Sequence, residues 1–236
     1  MRRSTDVFYF KQFGIRHDRC AHKVGTDSVL LGAWANCRDV RYALDIGSGS
    51  GVLSLMVAQR CEALVDGVEM DPESVAQARQ NVKNTPWADR IRIFHQRIQE
   101  FESDVQYDLI LSNPPYFVNS LKPPDGRRSN TRHTQSLDFT DLIAQVKRLL
   151  TRDGSFYLVL PPAEFNRFNE MASQSELYPF RQLHFRSKAS KPVERVLAGF
   201  WQSPTPCVVE ELVLYDQQNE WSEAYKALTR DYYLDL

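Results

Sequence analysis

Cysteine is scarce in this 236-residue chain. There are four, Cys20, Cys37, Cys61 and Cys207, with no C-x-x-C pair and no zinc-ligand spacing. That excludes a disulfide scaffold and a structural zinc module, and predicts reduced thiols that serve as small buried hydrophobes. Long apolar runs are lacking as well: nothing approaches the roughly 18 residues of a membrane span. The apolar stretch at residues 7–10 is too short for a signal-peptide core and meets Lys11. The expected location is the cytoplasm, off the membrane and without a metal. An excess of one charge sign is also missing, since 29 Lys and Arg stand against 30 Asp and Glu for a formal net charge of −1. The chain as a whole is therefore not a polybasic nucleic-acid binder. With 42% hydrophobic and 25% charged residues it is an ordinary globular composition, without repeats or low-complexity tracts, so disorder is excluded for most of its length.

The charge is unevenly placed. Residues 1–23, 120–135 and 181–195 carry +4, +3 and +4, leaving −12 for the rest. An acidic body with three basic segments can present a local positive face, although solvated loops would look the same.

Periodicity gives an alternation of strands and helices. Strands are predicted at Tyr42–Ile46, 63–68, 90–95, 107–111, 156–160, 181–186, 193–201 and Val208–Tyr215. Helices are predicted at Thr26–Trp34, 52–61, 72–84, 142–150, 163–174 and 221–232, with Gly154 expected to end the fourth before its following strand. Strands separated by helices imply βαβ units and a parallel sheet with helices on both faces. The late strands crowd together without helices, which predicts an antiparallel edge. Residues 117–136 form a long polar loop containing Pro123, Pro124, Gly126, Arg127 and Arg128.

Two motifs carry chemistry. In the first, Leu44-Asp45-Ile46-Gly47-Ser48-Gly49-Ser50-Gly51 leaves a strand and opens a helix, and Glu69-Met70-Asp71-Pro72 ends the next strand. Glycines suit positive φ and close approach to a ligand, and helix N-terminal N–H groups favour polar ligand atoms. A carboxylate at the second position can take both ribose hydroxyls. The G-x-G-x-G spacing differs from the dinucleotide fingerprint, and Asp45 is wrong for a pyrophosphate but right for an amino group. In the second motif, Asn113-Pro114-Pro115-Tyr116 follows the fourth strand of the alternation. There the Asn113 oxygen and the Pro114 carbonyl could accept from the two N–H groups of a planar nitrogen, while Tyr116 offers a stacking ring.

The first motif resembles motifs I and II of the S-adenosylmethionine-dependent methyltransferases, and the tetrad resembles their N-P-P-Y motif for planar nitrogen. The resemblance implies a Rossmann-like class I methyltransferase: an α/β fold with a seven-stranded, mostly parallel sheet. It implies that Asp45, Gly47, Gly49 and Gly51 hold the methionine part, Glu69 the ribose, and that Met70 packs on adenine. Many relatives place an acid after the third strand to accept from adenine N6. Here Arg97 stands in that place, so the adenine edge is expected to be read by groups near Arg97 and Ile98, or by Gln96. The segments Phe10-Lys11-Gln12-Phe13, His17-Asp18-Arg19-Cys20-Ala21, Lys23-Val24-Gly25-Thr26-Asp27, Leu30-Leu31-Gly32-Ala33-Trp34 and Trp221–Thr229 extend the likeness. Together with the two motifs they resemble the bacterial adenine-N6 methyltransferases of a valine tRNA, which act on the adenosine 3′ of the anticodon.

That resemblance implies S-adenosylmethionine as cofactor and tRNA as partner, with Asn113, Pro114 and Tyr116 catalytic. It further implies that Lys11, Phe13, Lys23 and Thr26 close over the cofactor; read alone, Lys23 is a solvated charge and Thr26 a helix N-cap. Arg127, Arg128, Arg132, Arg186, Lys188 and Lys191 are the expected RNA contacts. Residues 1–40 are expected to form a cofactor-closing and RNA-contact segment, and residues 41–236 the methyltransferase domain. Protein glutamine-N5 methylation shares the tetrad and is the nearest alternative. A non-catalytic RNA-binding module with a retained cofactor pocket is the alternative from another class, and a nicotinamide oxidoreductase is disfavoured by the loop spacing.

Overall fold

The computed structural model describes residues 6–20, 23–115 and 137–234. A short antiparallel hairpin, β1 (Val7–Tyr9) and β2 (Gly14–Arg16), comes first, followed by α1 (Thr26–Trp34). The alternation then runs β3 (Tyr42–Ile46), α2 (Val52–Arg60), β4 (Leu64–Glu69), α3 (Pro72–Lys83), β5 (Ile91–His95), β6 (Tyr107–Ser112), α4 (Phe139–Leu149), β7 (Leu150–Leu160) and α5 (Pro162–Gln174). It closes with β8 (Tyr178–Lys188), β9 (Arg195–Trp201), β10 (Val208–Tyr215) and α6 (Glu223–Thr229). Among the described residues, no helix is long and apolar enough to cross a membrane.

Eight strands make one sheet in the order β10-β8-β9-β7-β6-β3-β4-β5, one more than the expected seven. All its pairings are parallel except those of β9, which runs antiparallel to both β7 and β8. The reversed strand therefore lies inside the sheet, and the expected antiparallel edge is corrected: β10 pairs parallel with β8 outside it. The central strands are buried on both faces because helices cover both. Alternation splits β3 accordingly: Ala43 packs with α1 and α2, while Leu44 and Ile46 face the layer holding Leu142, Val146 and Phe168.

Local chemistry explains most element ends. Asp71 caps α3 by accepting from Ser74 N at 2.8 Å, with Pro72 at the first helical position, where its missing N–H costs nothing. Gly25, not Thr26, is the N-cap of α1. Gly154 does not end a helix. It lies within β7 where the register against β6 slips, and a Cβ there would stand 2.9 Å from the Tyr107 carbonyl oxygen. Of the cysteines only Cys37 is fully buried; Cys20 and Cys61 are half-buried and Cys207 is exposed, which corrects the expectation of four buried thiols.

The parallel strands bring the carboxyl ends of β3, β4, β6, β7, β8 and β10 to one edge of the sheet. Because β9 is reversed, its first residue, Arg195, faces that same edge, where it pairs with Asp27 of α1 at 2.7 Å.

Candidate active site

At the end of β3 the chain turns through Gly47, Gly49 and Gly51, with φ of 74°, 51° and 80°. L side chains rarely adopt these values, so glycine is required. The N–H groups of Gly47 and Ser48 donate to the Val68 carbonyl at 2.9 and 3.2 Å, tying the loop to β4. A Cβ added at Gly47 or Gly49 would meet nothing within 4 Å. The turn is thus a cradle with open space over its backbone.

Asp45 lies beneath this turn and is 1% exposed. Its Oδ2 accepts from the Ser54 N–H at 3.1 Å and the Ser54 hydroxyl at 2.7 Å. Its Oδ1 is buried with no partner among the described residues, as is the Ser48 hydroxyl. Burial pushes the Asp45 carboxyl up to about 7; the Ser54 bonds oppose this and the charge of Glu69 adds to it. An unpaired buried carboxylate oxygen suits a cationic donor such as an ammonium group.

Glu69 fastens two loops. Its Oε2 accepts from Gly49 N at 2.9 Å, and its Oε1 from Met70 N at 2.8 Å and Asp71 N at 2.9 Å. Each carboxylate oxygen has about two lone-pair sites, so capacity remains for a hydroxyl donor. Met70, 37% exposed, follows directly. Arg97 is exposed and opens a 3₁₀ turn over Ile98–Glu100, in which Ile98 is buried.

Asn113 follows β6. The Ser112 hydroxyl donates to the Ile46 carbonyl at 2.9 Å, locking the end of β6 against the strand that feeds the glycine turn. The Asn113 Nδ2 donates to the Ser28 hydroxyl of α1 at 2.8 Å. That commits the amide nitrogen to the protein and reserves the amide oxygen as the acceptor. Pro114 is buried and Pro115 exposed. Tyr116, Arg127, Arg128 and Arg132 lie outside the described residues.

The remaining predicted residues occupy different surroundings. Lys11 Nζ donates to the Arg230 carbonyl at 2.6 Å, joining the hairpin to the C-terminal segment. Phe13 is buried, stacked on Phe10 at 4.6 Å and edge-on to Trp87 at 5.8 Å. Lys23 is exposed, and Thr26 begins α1 half-buried. Arg186 is paired with Glu211 at 2.7 Å, while Lys188 and Lys191 are exposed in the β8–β9 turn. Ser28 and Ser54 were not legible as site residues. Ser54 carried a weak signal, a hydroxyl in the first turn of the helix after the glycines; Ser28 carried none, because its partner lies 85 positions away.

These features are those of S-adenosylmethionine enzymes, and the cradle fits that cofactor. Space lies open over Gly47 and Gly49, an unpaired carboxylate oxygen stands below, and the acid after β4 is in place. Comparison with known proteins agrees. The methyltransferase small domain family matches residues 20–173. A tRNA1(Val) (adenine(37)-N6)-methyltransferase of Phocaeicola vulgatus is 44% identical over 97% of this chain and 98% of its own. One of Pectobacterium carotovorum is 42% identical over 97% and 94%. Among solved structures, a predicted O-methyltransferase from Agrobacterium tumefaciens superposes with a TM-score of 0.68 at 18% identity, covering 87% of this chain and 96% of its own. A glycopeptide N-methyltransferase complexed with S-adenosylmethionine gives 0.52 at 15% identity, covering 70% and 87%. At such identities the structures show the class I methyltransferase fold, whereas the full-length sequence relatives show the family: this chain belongs to the tRNA1(Val) (adenine(37)-N6)-methyltransferases.

Proposed function

We propose that this protein transfers a methyl group from S-adenosylmethionine to N6 of the adenosine 3′-adjacent to the anticodon of a valine tRNA. The observation that carries this is Asn113: its side-chain nitrogen is held by Ser28, and the strand before it is locked to the strand that feeds an open glycine cradle. Asp45, the Gly47–Gly51 backbone, Glu69 and Met70 would hold the cofactor, with Arg97 and Ile98 at its adenine end. Bound there, the cofactor supplies an electrophilic methyl group on a sulfonium.

The substrate N6 is a poor nucleophile because its lone pair is delocalised into the ring. Acceptance of its two N–H groups by the Asn113 oxygen and the Pro114 carbonyl turns the lone pair out of conjugation. It also stabilises the positive charge that develops on nitrogen. Held by the Asn113 oxygen and the Pro114 carbonyl, the nitrogen lone pair would face the methyl group that the bound cofactor would supply. The proton then leaves N6 for solvent. Positioning supplies much of the rate, and no strong base is needed. Tyr116 is assigned the stacking face, and Arg127, Arg128, Arg132, Lys188 and Lys191 the phosphates. Residues 1–40 are assigned the closing segment over a methyltransferase body at 41–236, with Ser28 of α1 reaching Asn113.

The test is methylation of bulk tRNA from a strain lacking this activity, read by nucleoside mass spectrometry. N6-methyladenosine is expected with the natural chain. Asn113→Ala should lose about 10²- to 10³-fold in rate, as for other single transition-state hydrogen bonds, with cofactor affinity unchanged. Label entering protein glutamine instead of RNA would overturn the reading.

A further inference from the structure

The four aromatics near the N-terminus, Phe8, Tyr9, Phe10 and Phe13, divide in the fold. Phe10 and Phe13 are core, whereas Phe8 is half-buried and Tyr9 is 55% exposed. The latter two line a cavity of about 510 Å³ together with Tyr215, Trp221, Tyr225 and Tyr233. Its far wall is the first turn of α1, at Gly25, Thr26 and Val29. The size lies within the range of small-ligand sites, and aromatic and aliphatic side chains share the lining with hydroxyl and backbone polar groups.

Its position gives the cavity an occupant. Ser28, which holds Asn113, belongs to the same helical turn as Thr26 and Val29, so the cavity lies on the other flank of the helix that positions the catalytic amide. Tyr215, at the end of β10, is paired in register with Lys188 at the end of β8. Lys188, exposed at the end of β8, is therefore the strand neighbour of a cavity-lining residue, and the exposed Lys191 follows in the turn that its N–H closes on the Lys188 carbonyl. An aromatic cleft with cations beside it, one helix flank away from the reacting atom, is the combination that binds single-stranded nucleic acid: bases stack and phosphates are neutralised.

We infer that this cleft seats an unstacked nucleobase of the substrate RNA, a loop nucleotide near the methylated adenosine, with its phosphates on Lys188 and Lys191. The inference rests on the tRNA reading above and deepens it. Stacking between aromatic walls makes the cleft tolerant of base identity but dependent on a base being present. Holding a second nucleotide also pins the loop in its opened form, so the target adenine enters the pocket without re-stacking on its neighbours.

The experiment measures binding of a fluorescent hairpin RNA carrying the anticodon loop, by anisotropy, to the natural chain and to Tyr9→Ala/Tyr215→Ala. Both tyrosines lie at the cavity margin, and the Tyr9→Phe/Tyr215→Phe variant controls for packing. The alanine pair should weaken binding by roughly 5- to 150-fold, the span of one lost base stack. The phenylalanine pair should stay within about twofold, because the stacking face survives. Removing the base at one loop position, leaving the sugar and phosphate, should reproduce the loss in the natural chain and add nothing in the alanine pair. Unchanged affinity in the alanine pair, or a loss that no abasic position shares, overturns the inference. If the natural chain neither binds nor methylates any tRNA, the functional reading falls and this inference with it. If it methylates tRNA normally and only the coupling is missing, the cleft alone is refuted.

Discussion

Asp45 provides a pH-dependent signature that can be worked out from the structure. Its carboxyl is buried, and its ordinary value of 3.8 is raised to about 7. The gap of about three units is worth about 4 kcal/mol at 1.36 kcal/mol per unit. Because the folded value lies above the unfolded one, the native state holds a proton that the unfolded chain has already released between these pH values. Stability from this residue is therefore complete at low pH and is lost as pH rises towards 7, at up to about 1.4 kcal/mol per pH unit. Between pH 5 and 8 about 2.6 kcal/mol should disappear, and above pH 8 the loss should level off. Asp45→Asn removes the titration while keeping an acceptor for Ser54. The assay is denaturant unfolding of both ligand-free proteins from pH 5 to 8.5; in the difference between them, the other titrating groups cancel. The variant should gain on the natural chain steadily up to pH 7, ending about 2.6 kcal/mol higher in relative unfolding free energy than at pH 5. Saturating S-adenosylhomocysteine should reverse the ranking at pH 8, because its ammonium group meets the ionised Oδ1. A stability difference that stays flat with pH would refute both the burial cost and the role of Asp45 as counter-charge.

Ser28→Ala should lower kcat about fivefold, the worth of one hydrogen bond of about 1 kcal/mol, with cofactor affinity unchanged. Ser28→Thr should restore most of it, and a loss that threonine does not rescue would remove Ser28 as the positioning residue of Asn113. Replacing Lys188 and Lys191 with Gln should flatten the dependence of log affinity on log salt by about 1.4 for a single-stranded contact; an unchanged slope in a salt titration would place the phosphates elsewhere. The neighbouring Cys37 thiol, and after it the Arg90 and Arg60 guanidiniums, hold the Cys61 thiol below its ordinary value, while burial pushes Cys207 up. Iodoacetamide at pH 7 should therefore label Cys61 ahead of the more exposed Cys207 in peptide mass spectra. Cys37→Ala should slow that labelling, and preferential modification of Cys207 would contradict the assignment.

The elements most legible in the sequence were those whose signals are local. β3, β10 and α1 fall at their predicted bounds because apolar residues predominate in each and turn or charged residues follow or precede it. The glycine turn was legible because positive φ at Gly47, Gly49 and Gly51 demands that residue type. The hairpin β1–β2 was not: three-residue strands have no measurable period, and their identity comes from pairing Phe8 with Ile15 across a turn. Gly154 misled because glycine after a helix reads as a stop, whereas here it relieves a strand slip against Tyr107. The internal place of β9 depends on pairings with β7 and β8 that no short window contains.

The same contrast explains the site. Motifs named the groups assigned to the ligand, since ligand chemistry restricts residue type: glycines at 47, 49 and 51, an acid at 69, an amide at 113. The groups that hold those residues in place are restricted only by geometry, and a serine hydroxyl is interchangeable in sequence with any surface serine. Ser54 under Asp45 and Ser28 behind Asn113 therefore emerge only once the sheet has ordered its strands. That ordering also decides what the basic segment at 181–195 can touch. Reversal of β9 folds it into a turn whose lysines stand on the carboxyl edge, and the addition of β10 sets Tyr215 beside Lys188. Charge alone left that segment open between a solvated loop and a contact surface. The strand pairing resolves the segment: Arg181, Arg186 and Arg195 are taken up by Glu210, Glu211 and Asp27, which leaves Lys188 and Lys191 as its exposed cations at the carboxyl edge.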